Sequence, residues 1–290
     1  MHKHIRQTLL LGLGLGLNLF LPACTFKKIL YDHLDSVAIY QIDSYVDLKA
    51  DQKKALEGPV QANIAWIKQA KLPEAIELME VLEKSAAARK FDQATDKLFY
   101  DRLEQWRGEA VERMLQPTAD LLHSLDGKQI ARLDKKMAEA LEPLDQLMKE
   151  DPDDFDDELQ DYIDDQVKKY KAWYGKWTPE QRELMVKTVL IDKSHLAEEL
   201  LQRTRARQAF MSELKKGDRA SLETFLKAWS RGDSAWLDTP FQEYQTASRA
   251  RWRQFWTKLH ESLSVEQWQH LEKRLHEVKQ DLIDLHARPA

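Results

Sequence analysis

Two acid–imidazole pairs have the spacing that metal chemistry uses. Asp120-x-x-His123 and Asp192-x-x-His195 each place a carboxylate and an imidazole one helical turn apart, as in bundle sites where glutamates from other helices complete the shell. In a chain that is 32% charged such pairs also arise without a ligand, so both are read as surface or partly buried histidines and no metal ligand is assigned. The run Glu150–Asp165 holds ten acids in sixteen residues. A calcium loop needs oxygens at positions 1, 3 and 5, glycine at 6 and glutamate at 12. Counting from Asp151 puts Phe155 fifth and Tyr162 twelfth, and counting from Asp154 puts Leu159 sixth and Asp165 twelfth. Asp151–Asp157 instead suit the start of a helix that ends near Lys168, Lys169 and Lys171, matching the helix dipole. His260, His270, His276 and His286 are spaced too irregularly to share one helical face. There is no nucleophile elbow, phosphate-binding glycine loop or His-Glu-x-x-His element. No catalytic residue and no cofactor are assigned.

The densest cationic stretches are Arg203-x-Arg205-x-Arg207 and Arg249-x-Arg251-x-Arg253, the second interleaved with Trp252 and Trp256. Alternate residues on a helix diverge by about 200 degrees, so three such arginines cannot face one phosphate ligand. They are expected to flank helices and pair with nearby acids. Most of the nine tryptophans, Trp66, Trp106 and Trp229 among them, fall on apolar helix faces and suit a core. Trp173, Tyr174 and Trp177 around Gly175 could instead cap a groove at a helix junction.

The only cysteine, Cys24, follows an ordered leader: Lys3 and Arg6, an apolar run from Leu9 to Leu21, then Ala23. That order is a secretory signal, and the run is shorter than the roughly 20 residues of a membrane-spanning helix. Leu21-Pro22-Ala23-Cys24 resembles the lipobox of bacterial lipoprotein precursors, which implies cleavage after residue 23 and acylation of Cys24. Thr25, where inner-membrane retention uses Asp, implies the periplasmic face of the outer membrane. Residues 1–23 are therefore expected to be a signal peptide and residues 24–290 a periplasmic helical domain. Losing Lys3 and Arg6 takes the formal charge from −5 to −7, a poor balance for nucleic acid. The expected partners are the membrane, through the lipid on Cys24, and an envelope protein.

The elements that must position these residues are helices. Only six glycines fall after residue 23, and Leu, Ala, Glu, Gln, Lys and Arg dominate, so the body is expected to be an all-α, elongated multi-helix bundle. Helices are expected over 27–46, 50–70, 74–115 with a break near Ser85, 127–148, 154–175, 179–215, 218–230, 241–262 and 265–286. Pro73, Pro117, Pro179 and Pro240 suit first-turn positions, and a subdomain break falls near 150–153.

One short pattern recurs: Leu48-Lys49-Ala50-Asp51-Gln52, Leu125-Asp126-Gly127-Lys128-Gln129, Trp177-Thr178-Pro179-Glu180-Gln181 and Leu263-Ser264-Val265-Glu266-Gln267. In the last three, Asp126, Thr178 or Ser264 can cap a helix while the glutamine reaches back to the amide of the cap, and the preceding apolar residue staples the first turn.

Two blocks resemble uncharacterised bacterial lipoproteins grouped under a domain of unknown function: Tyr31-x-x-Leu34-Asp35 with Ile42-Asp43-x-Tyr45-Val46-Asp47-Leu48-x-x-x-Gln52, and Trp173-x-Gly175-x-Trp177-Thr178-Pro179-Glu180-Gln181. The chain departs from that pattern at Lys49-Ala50 and at Trp177. Trp177–Gln181 is also similar to the Leu-Thr-x-x-Gln repeat of Spy-like periplasmic chaperones, which implies an all-helical protein that protects unfolded chains. The expected function is a non-enzymatic, lipid-anchored binding protein of the envelope; the alternatives are a periplasmic chaperone and a metal-dependent enzyme.

Overall fold

The computed structural model describes residues 33–189, 193–231 and 239–287. Cys24, its leader, Tyr31 and Asp192 lie outside them. The described residues are all-α: α1 Leu34–Val46, α2 Ala50–Trp66, a π-helical turn Ile67–Lys71, α3 Leu72–Ala87, α4 Gln93–His123, α5 Gly127–Glu139, α6 Glu142–Lys149, α7 Pro152–Tyr174, α8 Pro179–Thr188, α9 Lys193–Lys215, α10 Arg219–Arg231, α11 Thr239–Glu261 and α12 Val265–His286.

One expected helix start holds and two expected boundaries shift. Pro73 stands in the first turn of α3, as expected, and the wide turn Ile67–Lys71 joins α2 to that helix, with the Leu72 amide donating to the Ile67 carbonyl. A proline lacks its amide proton and clashes with the carbonyl four residues back, and an extra residue in the preceding turn relieves both defects. The break expected near Ser85 falls at 88–92, where Arg89 turns left-handed at φ 54° and Asp92 caps α4 by accepting from the Thr95 amide. Pro117 sits inside α4, which continues to His123. The breaks that sequence periodicity passed over lie at 140–141 and after Val189.

Two hydrophobic cores form. The larger joins Leu78, Met79, Leu82 and Ala86 of α3 to Tyr174, Met185, Phe255, Leu259, Trp268, Leu271, Leu275 and Val278. It also holds Leu144, Leu147 and Phe155, which flank the break at 150–152. The smaller joins Val46, Leu48, Leu56, Leu122, Leu125 and Leu133 to Phe210, Met211, Leu214 and Leu222 of α9 and α10. The α3–α4 corner thus packs on helix ends from the C-terminal half, and the α9–α10 corner on helix ends from the N-terminal half.

Candidate functional site

The four glutamines of the recurrent pattern meet in two pairs. Gln52 and Gln129 exchange amide hydrogen bonds of 3.1 and 2.7 Å, and Gln181 and Gln267 exchange two of 2.9 Å. Each pair joins two elbows: α1–α2 with α4–α5 at elbow A, and α7–α8 with α11–α12 at elbow B. Every glutamine accepts from the amide three residues back, that of Lys49, Asp126, Thr178 or Ser264. Each also donates across the pair to the backbone carbonyl of Ser124, Asp47, Ser262 or Lys176. All four glutamines are buried, Gln181 at 1% exposure, which is tolerable because both ends of each amide are used.

The elbows have equivalent parts. Asp126, Thr178 and Ser264 close their capping boxes, whereas the side chain of Lys49 has no acceptor and instead pairs with Asp126 at 3.0 Å. Asp47 (φ 56°) and Gly175 (φ 69°) make the left-handed bend after α1 and α7. At Gly175 a Cβ would lie 3.6 Å from the ring of His270, so the glycine serves the backbone bend more than the space.

Chemistry differs between the elbows two residues before the shared serine. Elbow A has buried Leu122 there, and elbow B has His260. The His260 imidazole shares a 3.0 Å hydrogen bond with the Tyr174 hydroxyl, lies 4.6 Å from the stacked ring of Phe91, and leaves Nδ1 buried without a partner. Burial pulls its pKa from 6.5 to about 4, and burial pushes the Tyr174 phenol up.

The residues singled out by spacing disperse. Asp120 pairs with Arg219, while His123 is exposed at the edge of a cavity. His195 stacks on Tyr244 at 4.6 Å. Among the described residues no three His, Cys, Asp or Glu side chains group as metal ligands. Asp151 caps α7 through the amides of Asp153 and Asp154, giving the acidic run its local role. Arg203 and Arg207 pair with Glu199 and Asp134, each at 2.5 Å, and Arg251 lies over the ring of Tyr244. Trp173 lies under Arg274, Tyr174 is buried, and Trp177 stacks on Tyr170 and Phe255, so these rings fill elbow B and do not cap an open groove. His270, His276 and His286 contact the Ala172 carbonyl, Glu83 and the Lys68 carbonyl respectively.

Openings lie between the described helices at two places. One of about 390 Å³ lies at elbow A under the α9–α10 turn, lined by Leu122, Leu125, Ile130, Leu214 and Leu222. The other, about 520 Å³, runs along α4 beside α10, past Val111, Met114, Leu115, Leu226 and Trp229. Trp229 is 37% exposed there, where its sequence position suggested a core residue. Neither opening was legible from periodicity, because both depend on which helices become neighbours.

A family model covers residues 44–239, spanning elbow A and the first half of elbow B. The chain belongs to this family of unknown function, DUF6279. No curated protein and no solved structure matches it. The matched segment includes Gln52, Gln129 and Gln181, while Gln267 lies beyond it.

Proposed function

We propose that this DUF6279 member is a lipid-anchored protein of the bacterial envelope that binds another polypeptide through clefts between its helices, without catalysis. The observation that carries the address is Leu21-Pro22-Ala23-Cys24 behind a charged and apolar leader. Two acyl chains or more on Cys24 would anchor the chain stably, because each buried methylene contributes about 0.8 kcal/mol. Among the described residues no helix is long and apolar enough to cross a membrane, which is consistent with attachment through lipid. The binding role draws support from the groove at Met114 and Trp229, since an exposed tryptophan beside a trough of aliphatic side chains is a usual anchor for a partner.

Metabolic labelling with a palmitate analogue tests the address. Cys24→Ser is expected to abolish the label and leave residues 1–23 attached; a labelled, processed variant would refute it. A photocrosslinker at Met114 in the anchored protein is expected to give one reproducible adduct, and its absence would refute the binding role.

A chaperone reading draws on one element: Trp177–Gln181, whose wording is similar to that of the Spy-like repeat, builds elbow B through Gln181. It requires that the mature chain suppress aggregation of unfolded clients at near-stoichiometric amounts without ATP.

A further inference from the structure

The two elbows are equivalent position by position, and so are the corners that cover them. Ser124, Leu125 and Gln129 of elbow A correspond to Ser262, Leu263 and Gln267 of elbow B; Leu122 corresponds to His260 and Ile130 to Trp268. Over elbow B lies the α3–α4 corner, over elbow A the α9–α10 corner. Each corner has a left-handed residue, Arg89 at φ 54° or Gly217 at φ 70°. Each then has an aspartate whose carboxylate accepts from the first-turn amides of the next helix, Asp92 or Asp218.

The corners differ by two residues. Lys90 and Phe91 separate Arg89 from Asp92, whereas Gly217 and Asp218 are adjacent. Phe91 is the residue that fills elbow B, with its ring 4.6 Å from His260 and 5.7 Å from Trp268. Among the described residues elbow A has no equivalent ring, and Ile130 stands where elbow B has Trp268. At elbow A the cavity of about 390 Å³ is found, against the counterparts of the residues Phe91 touches. That volume is within the about 300–1,000 Å³ range of sites that receive a ligand group.

We propose that the elbow A cavity is a docking slot for an aromatic side chain presented by another polypeptide, taking the part that Phe91 plays within the chain at elbow B. The proposal rests on the binding reading above and gives its partner a chemistry. Beneath the opening are the aliphatic walls of Leu122, Leu125, Ile130, Leu214 and Leu222. At the rim, His123, Lys215 and Asp218 are exposed. The rim carboxylate of Asp218 faces the amides of Ala220 and Ser221, at 3.2 and 3.3 Å. A phenylalanine ring therefore matches the apolar floor, as Phe91 does at elbow B.

The test uses the mature chain carrying Cys24→Ser and a fluorescein-labelled Gly-Ser-Glu-Phe-Glu-Ser-Gly peptide, with its Phe→Ala version as reference. Fluorescence anisotropy is expected to show binding about tenfold or more tighter for the phenylalanine peptide, from the apolar surface a ring adds over a methyl group. Inserting Lys-Phe between Gly217 and Asp218 supplies the missing ring in cis, and is expected to erase that preference while keeping or raising the unfolding temperature. Ile130→Trp, which copies elbow B, is expected to erase it as well and carries the test where the insertion does not fold. Equal affinity for the two peptides, or a preference surviving in Ile130→Trp, overturns the proposal. So does sedimentation showing that a second copy of the chain occupies the slot. Should the peptide fail while a crosslink at Met114 forms, the slot is refuted and the binding role stands.

Discussion

Removing Gln181 should cost more than its contacts are worth singly. In the native elbow its Oε1 accepts from the Thr178 amide at 3.0 Å and from Gln267 at 2.9 Å, while its Nε2 donates to the Ser262 carbonyl, the Ser262 hydroxyl and Gln267. Gln181→Ala deletes half of a capping box, worth about 1 kcal/mol. It also leaves the buried Gln267 amide, still held by the Ser264 amide and the Lys176 carbonyl, with one N–H and one oxygen lone pair unmatched, which adds about 1–3 kcal/mol for the groups left unpaired. A loss of roughly 2–4 kcal/mol follows, and Gln267→Ala should match it by the same count. In the double variant neither orphan amide exists, so the loss should fall short of the sum of the singles by about 1–3 kcal/mol. Urea unfolding of the mature chain, followed by circular dichroism for all four members of the cycle, measures that shortfall. Additive losses, within about 0.5 kcal/mol, would refute the pairing as a coupled unit.

Two further outcomes concern the rings beside that pair. His260 is held neutral by burial, with its pKa lowered from 6.5 to about 4. The unfolded chain therefore binds the proton more readily; stability is whole above pH 6.5, falls as the pH drops toward 4, and levels off below that. His260→Leu, which installs the side chain found at the equivalent place in elbow A, should remove a loss on the order of 2–3 kcal/mol across that window. Unfolding midpoints at pH 7 and pH 4 decide it, and an unchanged difference between them would rule out His260 as the source. Phe91→Ala should open at elbow B a cavity like that of elbow A, costing about 2–4 kcal/mol; chemical denaturation measures it, and a loss below about 1 kcal/mol would show that Phe91 does not seal the elbow.

The local parts of this architecture are legible in the sequence, and the distant ones are not. Asp126, Thr178 and Ser264 announce helix starts because a cap and its glutamine lie three residues apart, within one turn. Lys49 breaks the cap pattern, yet Gln52 still reaches back to its amide, so the glutamine was the more telling letter. That Gln52 finds Gln129, and Gln181 finds Gln267, rests on chain reversals more than seventy residues long, which no periodicity encodes. The same holds for Asp120: its spacing to His123 suggested a ligand pair, whereas its partner is Arg219 on α10. Pro117 misled for another reason, since α4, packed against α10 and α2, continues past a residue that local rules place at a start.

The reciprocal packing of corners on elbows also sets an order in time. Elbow A acquires its cover only with Leu214 and Leu222, and elbow B waits for Trp268 and Leu271 from α12. A polypeptide threaded N-terminus first would hold α3 without its counterpart until α12 had emerged, a topology of long-range closures that folds late. A chain cut before α12 would leave Leu78, Met79 and Leu82 without the face of Leu271, Leu275 and Val278 that shares their core.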